Sequence, residues 1–134
     1  MSYEKRIAQD WIETYSGEDS QDLSHDPLLF IELIVQCHWA FGWGVLEKIL
    51  DTDVSGGSLP MLVAGPFDSW VKRHADKHAD FLEFQAKASP RLRWALGGIS
   101  QGSLHESTWQ IIVNVRRPVW MDGQFPPPAP PVVN

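Results

Sequence analysis

The sequence predicts an all-α fold, a single compact bundle of five to seven helices followed by an extended proline-rich C-terminal tail. Three observations carry the prediction. Apolar residues recur at three- and four-residue spacing in at least four segments. Capping residues introduce several of those segments, and glycines close them. From Pro118 onward the chain holds six of its ten prolines, which no helix tolerates. With 134 residues, 43% hydrophobic and 21% charged, the chain has the size and composition of one folded domain. The domain is expected over residues 1–117 and the tail over 118–134.

Residues 3–15 set Ile7, Ala8, Trp11, Ile12 and Tyr15 at helical spacing, with Glu4, Asp10 and Glu13 on other faces. This is an amphipathic first helix. Residues 16–26 are polar and acidic and predict a loop. Asp26-Pro27 reads as an N-cap followed by proline at the first helical position. The helix that follows, to about Ala40, is apolar nearly all round, with a thin polar stripe of Glu32 and Gln36, and belongs in the middle of a bundle. Gly42 and Gly44 interrupt the pattern, so a short third helix is expected from Val45, through Leu46, Ile49 and Leu50.

Residues 51–58, with Gly56-Gly57, predict a loop. Ser58 is placed to cap a helix holding Leu59, Met61, Leu62 and Val63, and Pro66 predicts a break or kink near Ala64-Gly65-Pro66. Phe67, Trp70, Val71, His74, His78, Phe81, Leu82 and Gln85 then share one face of one long helix or two nearly collinear ones. Ser89-Pro90 starts another helix, through Leu92, Trp94, Ala95 and Leu96, closed by Gly97-Gly98. Ser103 and Glu106 fit a capping box that introduces Trp109, Ile112, Val113 and Arg116. The β-branched run Ile111-Ile112-Val113 would also suit a strand, but the cap favours a helix. Ile31, Ile34, Val35, Leu46, Val71, Leu82 and Leu96 are the expected core.

Several of these segments together resemble a bacterial family of small helical domains of unknown function. They are Trp11-Ile12, the run Leu62-Val-Ala-Gly-Pro-Phe-Asp68, His74, and the run Ser89-Pro-Arg-Leu-Arg-Trp-Ala-Leu-Gly-Gly98. The family's centre is an Ala-Gly-Pro-Leu-Glu motif, followed by a His-Gly pair and a Leu-Gly-Gly turn. Here Phe67-Asp68 replaces Leu-Glu, and Ala75 replaces the glycine after the histidine. The resemblance covers roughly residues 5–100. It implies a helical fold and brings no activity, so it assigns no functional residue.

The net charge of −6 argues against phosphate-driven nucleic-acid binding, which needs a basic footprint. The charge is uneven: residues 1–71 carry twelve acids and three bases, residues 72–117 eight bases and four acids. Such asymmetry reads either as solvated faces that pair with each other or as an acidic face that docks a basic partner. Cys37 is the sole cysteine, so no intrachain disulfide forms, and its apolar setting suits a structural thiol. The N-terminus lacks an apolar signal segment and no apolar run is long enough for a bilayer. A cytoplasmic protein without a membrane partner is the expectation.

Chemistry finds few footholds. His74 and His78 have the i, i+4 spacing that can share a zinc ion, but Ala75 stands where the zinc-hydrolase motif needs glutamate. His38, His105, Asp80 or Cys37 would have to complete such a site. The competing reading is two histidines that pack and hydrogen-bond at the edge of the apolar stripe, and no metal or cofactor is expected. There is no Gly-x-Ser-x-Gly nucleophile motif, and the Ser55-Gly-Gly-Ser58 loop has no Walker lysine. Trp43 and Trp120, near bends, are candidates for exposed apolar anchors.

A non-enzymatic protein-binding domain therefore leads. The expected type is an inhibitor or immunity-type factor that neutralises a basic toxin or effector through an acidic surface. Its candidate residues are Glu18, Asp19, Asp22, Asp26, Asp51 and Asp53 in the two acidic loops, with Trp43 as apolar anchor. The alternatives are a metal-dependent enzyme or metal protein using His74 and His78, and an adaptor whose proline-rich tail is read by another protein.

Overall fold

A computed structural model describes residues 3–15, 27–116 and 126–130. Among the described residues there are seven helices and no strand. Helix α1 spans Tyr3–Tyr15, α2 Pro27–Gln36 and α3 Trp39–Thr52. Helix α4 is built from Leu59–Leu62, a π-helical turn over Val63–Phe67, and Asp68–His74. Helix α5 spans Ala79–Ala88, α6 Pro90–Leu96 and α7 Glu106–Val115. Helix α3 packs against α1 and α2, α4 against α2 and α3, and α5 against α6 and α7. Of the expected core, Ile34, Leu46, Val71, Leu82 and Leu96 are buried. Val35 is only half-buried, and the side chain of Ile31 lies outside the described residues.

The α2–α3 boundary differs from the sequence expectation. Helix α2 stops at Gln36, and α3 starts at Trp39 and runs unbroken through Gly42 and Gly44. The cap explains the early start: His38 Nδ1 accepts the Ala40 N–H at 3.2 Å, taking a donor that the first helical turn leaves orphaned. The glycine pattern marks a close approach rather than a break. A Cβ on Gly42 would lie 2.6 Å from the Ile34 carbonyl oxygen and 3.1 Å from Trp70, so only glycine lets α2 and α4 come this near to α3.

Pro66 acts as expected on the local geometry, but the helix survives it. The π turn over Val63–Phe67 widens the helix by one residue, the usual way to seat a side chain or proline that the α-ladder cannot hold. Ser58 does not cap α4. Its hydroxyl donates instead to Asp53 Oδ2 at 2.6 Å.

The expected collinear stripe breaks between His74 and His78, where a 3-10 turn over Ala75–Lys77 intervenes. His78 has φ −134° and ψ 31°, outside the helical region. The break turns Asp76 toward α7, where its carboxylate accepts the His105 N–H at 3.0 Å and the Thr108 hydroxyl. That contact replaces the expected capping box: α7 starts at Glu106, with Ser103 outside it. Burial would raise the Asp76 carboxyl, but the two hydrogen bonds and the His105 imidazole outweigh it and hold the group below the usual carboxylate range. Ser89 does cap α6, accepting the Leu92 N–H at 3.2 Å. Residues 111–113 are helical, with Ile112 buried. Among the described residues no helix is long and apolar enough to cross a membrane.

Candidate functional site

The C-terminal end of α3, the start of α6 and the tail meet around one arginine. Arg91 is only 2% exposed. Its guanidinium donates from Nη1 to the Leu50 and Asp53 carbonyls, from Nη2 to Val54 O at 3.3 Å, and from Nε to Pro127 O at 2.8 Å. Leu50 and Asp53 belong to the end of α3, where helical carbonyls lack intrahelical partners, so Arg91 supplies what the helix geometry leaves unmet. Burial lowers its pKa, and the nearby charges of Asp53 and Asp51 oppose that shift.

Beside this arginine lies a cleft of about 530 Å³, within the ordinary range for ligand sites. Its lining includes the apolar Trp43, Leu50 and Leu92, the acidic Glu47 and Asp51, and Gln85 and Ala88 of α5. Pro128, Ala129 and Pro130 line it as well. Glu47 and Asp51 are one helical turn apart on α3, so their charges repel across the same face. Burial pushes the Asp51 carboxyl up, the Glu47 charge adds to the rise, and Lys48 and Arg91 oppose it. Among the described residues neither carboxylate sits in a salt bridge. Two carboxylates in a cleft, one of them partly desolvated, leave negative charge that a further cation could offset.

The residues expected to bind a partner divide three ways. Glu18, Asp19, Asp22 and Asp26 lie outside the described residues. Asp51 is half-buried and lines the cleft. Asp53 is not an exposed charge: it is 2% exposed, and its carboxylate accepts from the Ser55 hydroxyl, the Gly56 and Ser58 N–H groups and the Ser58 hydroxyl. It organises the loop, as Asp does wherever its side chain satisfies backbone donors two or more residues on. Trp43 is not an exposed anchor either. It is 5% exposed, packed on Trp70 and edge-on to Phe81, because α3 continues through Gly42 and turns the ring inward.

Sequence reasoning missed Glu47, Arg91 and Phe84. Phe84 is 72% exposed and shares a face of α5 with Ala88, one turn on, at the cleft wall. The signal was present: Phe84 falls off the stripe of Phe81, Leu82 and Gln85, and an aromatic residue off the buried face faces water.

His74 and His78 have the i, i+4 spacing of a zinc pair, but a 3-10 turn over Ala75–Lys77 rather than one α-helix joins them. His74 Nε2 pairs with the Val35 carbonyl at 3.0 Å, and His78 stacks on Trp39 at 3.9 Å between centroids. Burial lowers both; Arg73, His78 and Lys77 lower His74 further, against the Val35 carbonyl, and His38 and Lys77 lower His78. Among the described residues no three His, Cys, Asp or Glu side chains are grouped to hold a metal ion. Cys37 is half-buried, its thiol raised by burial.

With the geometry fixed, comparison with known families adds one match, a family of unknown function, DUF6869, over residues 15–119. The chain belongs to that family. The match runs past residue 100, the expected limit of the resemblance, and includes α7 and the cap that Asp76 gives it. No curated protein and no solved structure matches the chain. Among the described residues of this DUF6869 chain, the parts of the cleft that lie within the matched segment are α3, α5 and α6; Pro128, Ala129 and Pro130 lie outside it.

Proposed function

We propose that this DUF6869 protein is a non-enzymatic binding domain, an inhibitor or immunity-type factor that captures a basic protein through its acidic half. The observation that carries the reading is the Glu47–Asp51 pair. Two like charges stand one turn apart in a cleft lined in part by apolar side chains, one of them partly desolvated, with no salt bridge among the described residues. Bringing like charges together costs stability that Lys48 and Arg91 offset only in part, since the Asp51 carboxyl stays raised, so the arrangement suits capture of a lysine or arginine. The exposed ring of Phe84, one turn before the cleft-lining Ala88 on α5, offers the apolar contact that charge alone does not supply. Glu18, Asp19, Asp22 and Asp26 add to the negative field of the same half of the sequence and would speed encounter with a basic partner.

The test is capture of the partner with neighbouring coding sequences of the host co-expressed, followed by association kinetics. Glu47→Gln with Asp51→Asn is expected to accelerate dissociation. Asp19→Lys with Asp22→Lys is expected to slow association and to leave stability within ~0.5 kcal/mol, as for ordinary surface changes. If neither pair alters the rates, and Arg93→Glu abolishes binding instead, the basic half carries the function and the proposal is wrong.

A further inference from the structure

The tail helps to build this part of the fold: Pro126 and Pro127 are seated beside the cleft, and Pro128, Ala129 and Pro130 line it. Arg91, a nearly fully buried cation, gives its Nε–H to the carbonyl of Pro127. The ring of Pro126 lies over Gly56, so closely that a Cβ there would come within 3.0 Å of Pro126 Cγ. Gly56 has φ +74°, a conformation that independently favours glycine. Pro128, Ala129 and Pro130 then line the cleft itself. A buried donor aimed at a main-chain carbonyl, a flat glycine seat for a proline ring, and an aromatic and aliphatic lining are what a proline-rich strand requires. Such a strand makes no internal hydrogen bonds, so its carbonyls are free to accept.

The seated segment leaves half of the site unmatched. Residues 126–134 carry no lysine or arginine, yet the cleft lining includes Glu47 and Asp51. We propose that the cleft is a receptor for a proline-rich segment bearing a basic side chain on its partner, and that residues 126–130 are a resident stand-in lacking the charge. The proposal rests on the reading of Glu47 and Asp51 as a cation receptor and adds the backbone chemistry of what delivers the cation. The incoming strand takes over the Arg91 Nε–H and the Gly56 seat from Pro127 and Pro126, and its arginine or lysine enters between Glu47 and Asp51. Because the resident must leave first, the apparent affinity is the intrinsic one reduced by the fraction of molecules with an open seat.

The experiment is a calorimetric titration of the full chain with three synthetic peptides, each also followed by NMR at the Arg91 Nε–H and the Gly56 amide. The first has the sequence of residues 126–131 extended by two arginines. The second ends in two glutamates instead. The third replaces the prolines and alanine with glycine and serine and keeps the arginines. The arginine–proline peptide is expected to bind and to shift both signals, and each other peptide to bind about tenfold more weakly or less, one charge pair or one strand contact being worth roughly that factor. Pro126→Gly with Pro128→Gly in the full chain loosens the resident and is expected to tighten binding of that peptide severalfold. Glu47→Gln with Asp51→Asn is expected to erase its advantage over the glutamate peptide.

Equal binding by the glycine–serine arginine peptide overturns the proline receptor and leaves the cation receptor standing. Equal binding by the glutamate peptide, or no binding by either arginine peptide, overturns both. Binding that leaves the Arg91 and Gly56 signals unmoved, or that is unaffected by loosening the resident, places the ligand elsewhere and overturns the proposal.

Discussion

Two glycines in one helix are expected to respond to the same substitution with opposite signs. Gly42 and Gly44 both lie inside α3, where alanine is intrinsically favoured over glycine by about 0.5–1 kcal/mol. At Gly44 the nearest atom to a new Cβ is Glu4 Cγ at 3.5 Å, an ordinary contact with a flexible side chain. Gly44→Ala is therefore expected to stabilise by about 0.5–1 kcal/mol. At Gly42 the new Cβ would meet the Ile34 carbonyl oxygen at 2.6 Å and Trp70 Cδ1 at 3.1 Å. The first is backbone of α2 and the second a fully buried ring, so neither yields without moving a helix. Overpacking of that kind costs about 1–3 kcal/mol, and after the propensity gain Gly42→Ala should lose about 1–2 kcal/mol. Urea unfolding followed by far-ultraviolet circular dichroism reads both changes as shifts of the midpoint, of about 0.3–2 molar for Gly42→Ala at a slope of roughly 1–3 kcal/mol per molar. If Gly42→Ala is as stable as the native chain, α2 does not approach α3 as described.

Three further outcomes follow from the packing. Arg91→Met should cost about 2–6 kcal/mol in the same unfolding experiment, because it strands the buried carbonyls of Leu50 and Asp53 at about 1–3 kcal/mol each; a loss below about 0.5 kcal/mol, the range of ordinary surface changes, would show that the arginine is not the clamp. Leu82→Ala should cost ~2–5 kcal/mol at its fully buried position, and a surface-like loss would contradict that placement. Stability should fall as the pH drops below about 6.5, because His74 and His78 are held below that ordinary value in the fold while the unfolded chain takes up the protons first. In urea midpoints measured across that range, His74→Gln with His78→Gln should flatten the slope, and an unchanged slope would refute the assignment.

The helices were legible where periodicity and caps agreed. The stripe of α1, the Ser89 cap of α6 and the helical reading of residues 111–113 rest on local signals that packing did not override. The boundaries that shifted did so for non-local reasons. Gly42 looks like a breaker in one dimension and is a contact point in three, since the atoms that demand glycine come from Ile34 and Trp70. The Ser103–Glu106 box lost to Asp76, a carboxylate from 29 residues away that no local motif announces. The candidate site was less legible still. Asp51 was readable as an acid in a loop-like stretch, but Asp53, two residues on, turns inward to satisfy its own loop. Arg91 reads as one more base in a basic segment. Its role appears only when the end of α3 and the tail, distant in sequence, converge on it.

The most direct test of the central claim, capture of a basic partner by the acidic cleft, is the association rate with the captured partner measured from low to high salt. The measurement compares the native chain with Glu47→Lys. The account predicts a native rate that falls steeply as salt rises, and a Glu47→Lys rate about tenfold or more slower at low salt and converging on the native value at high salt. Rates that are independent of salt and identical for the two chains would contradict it.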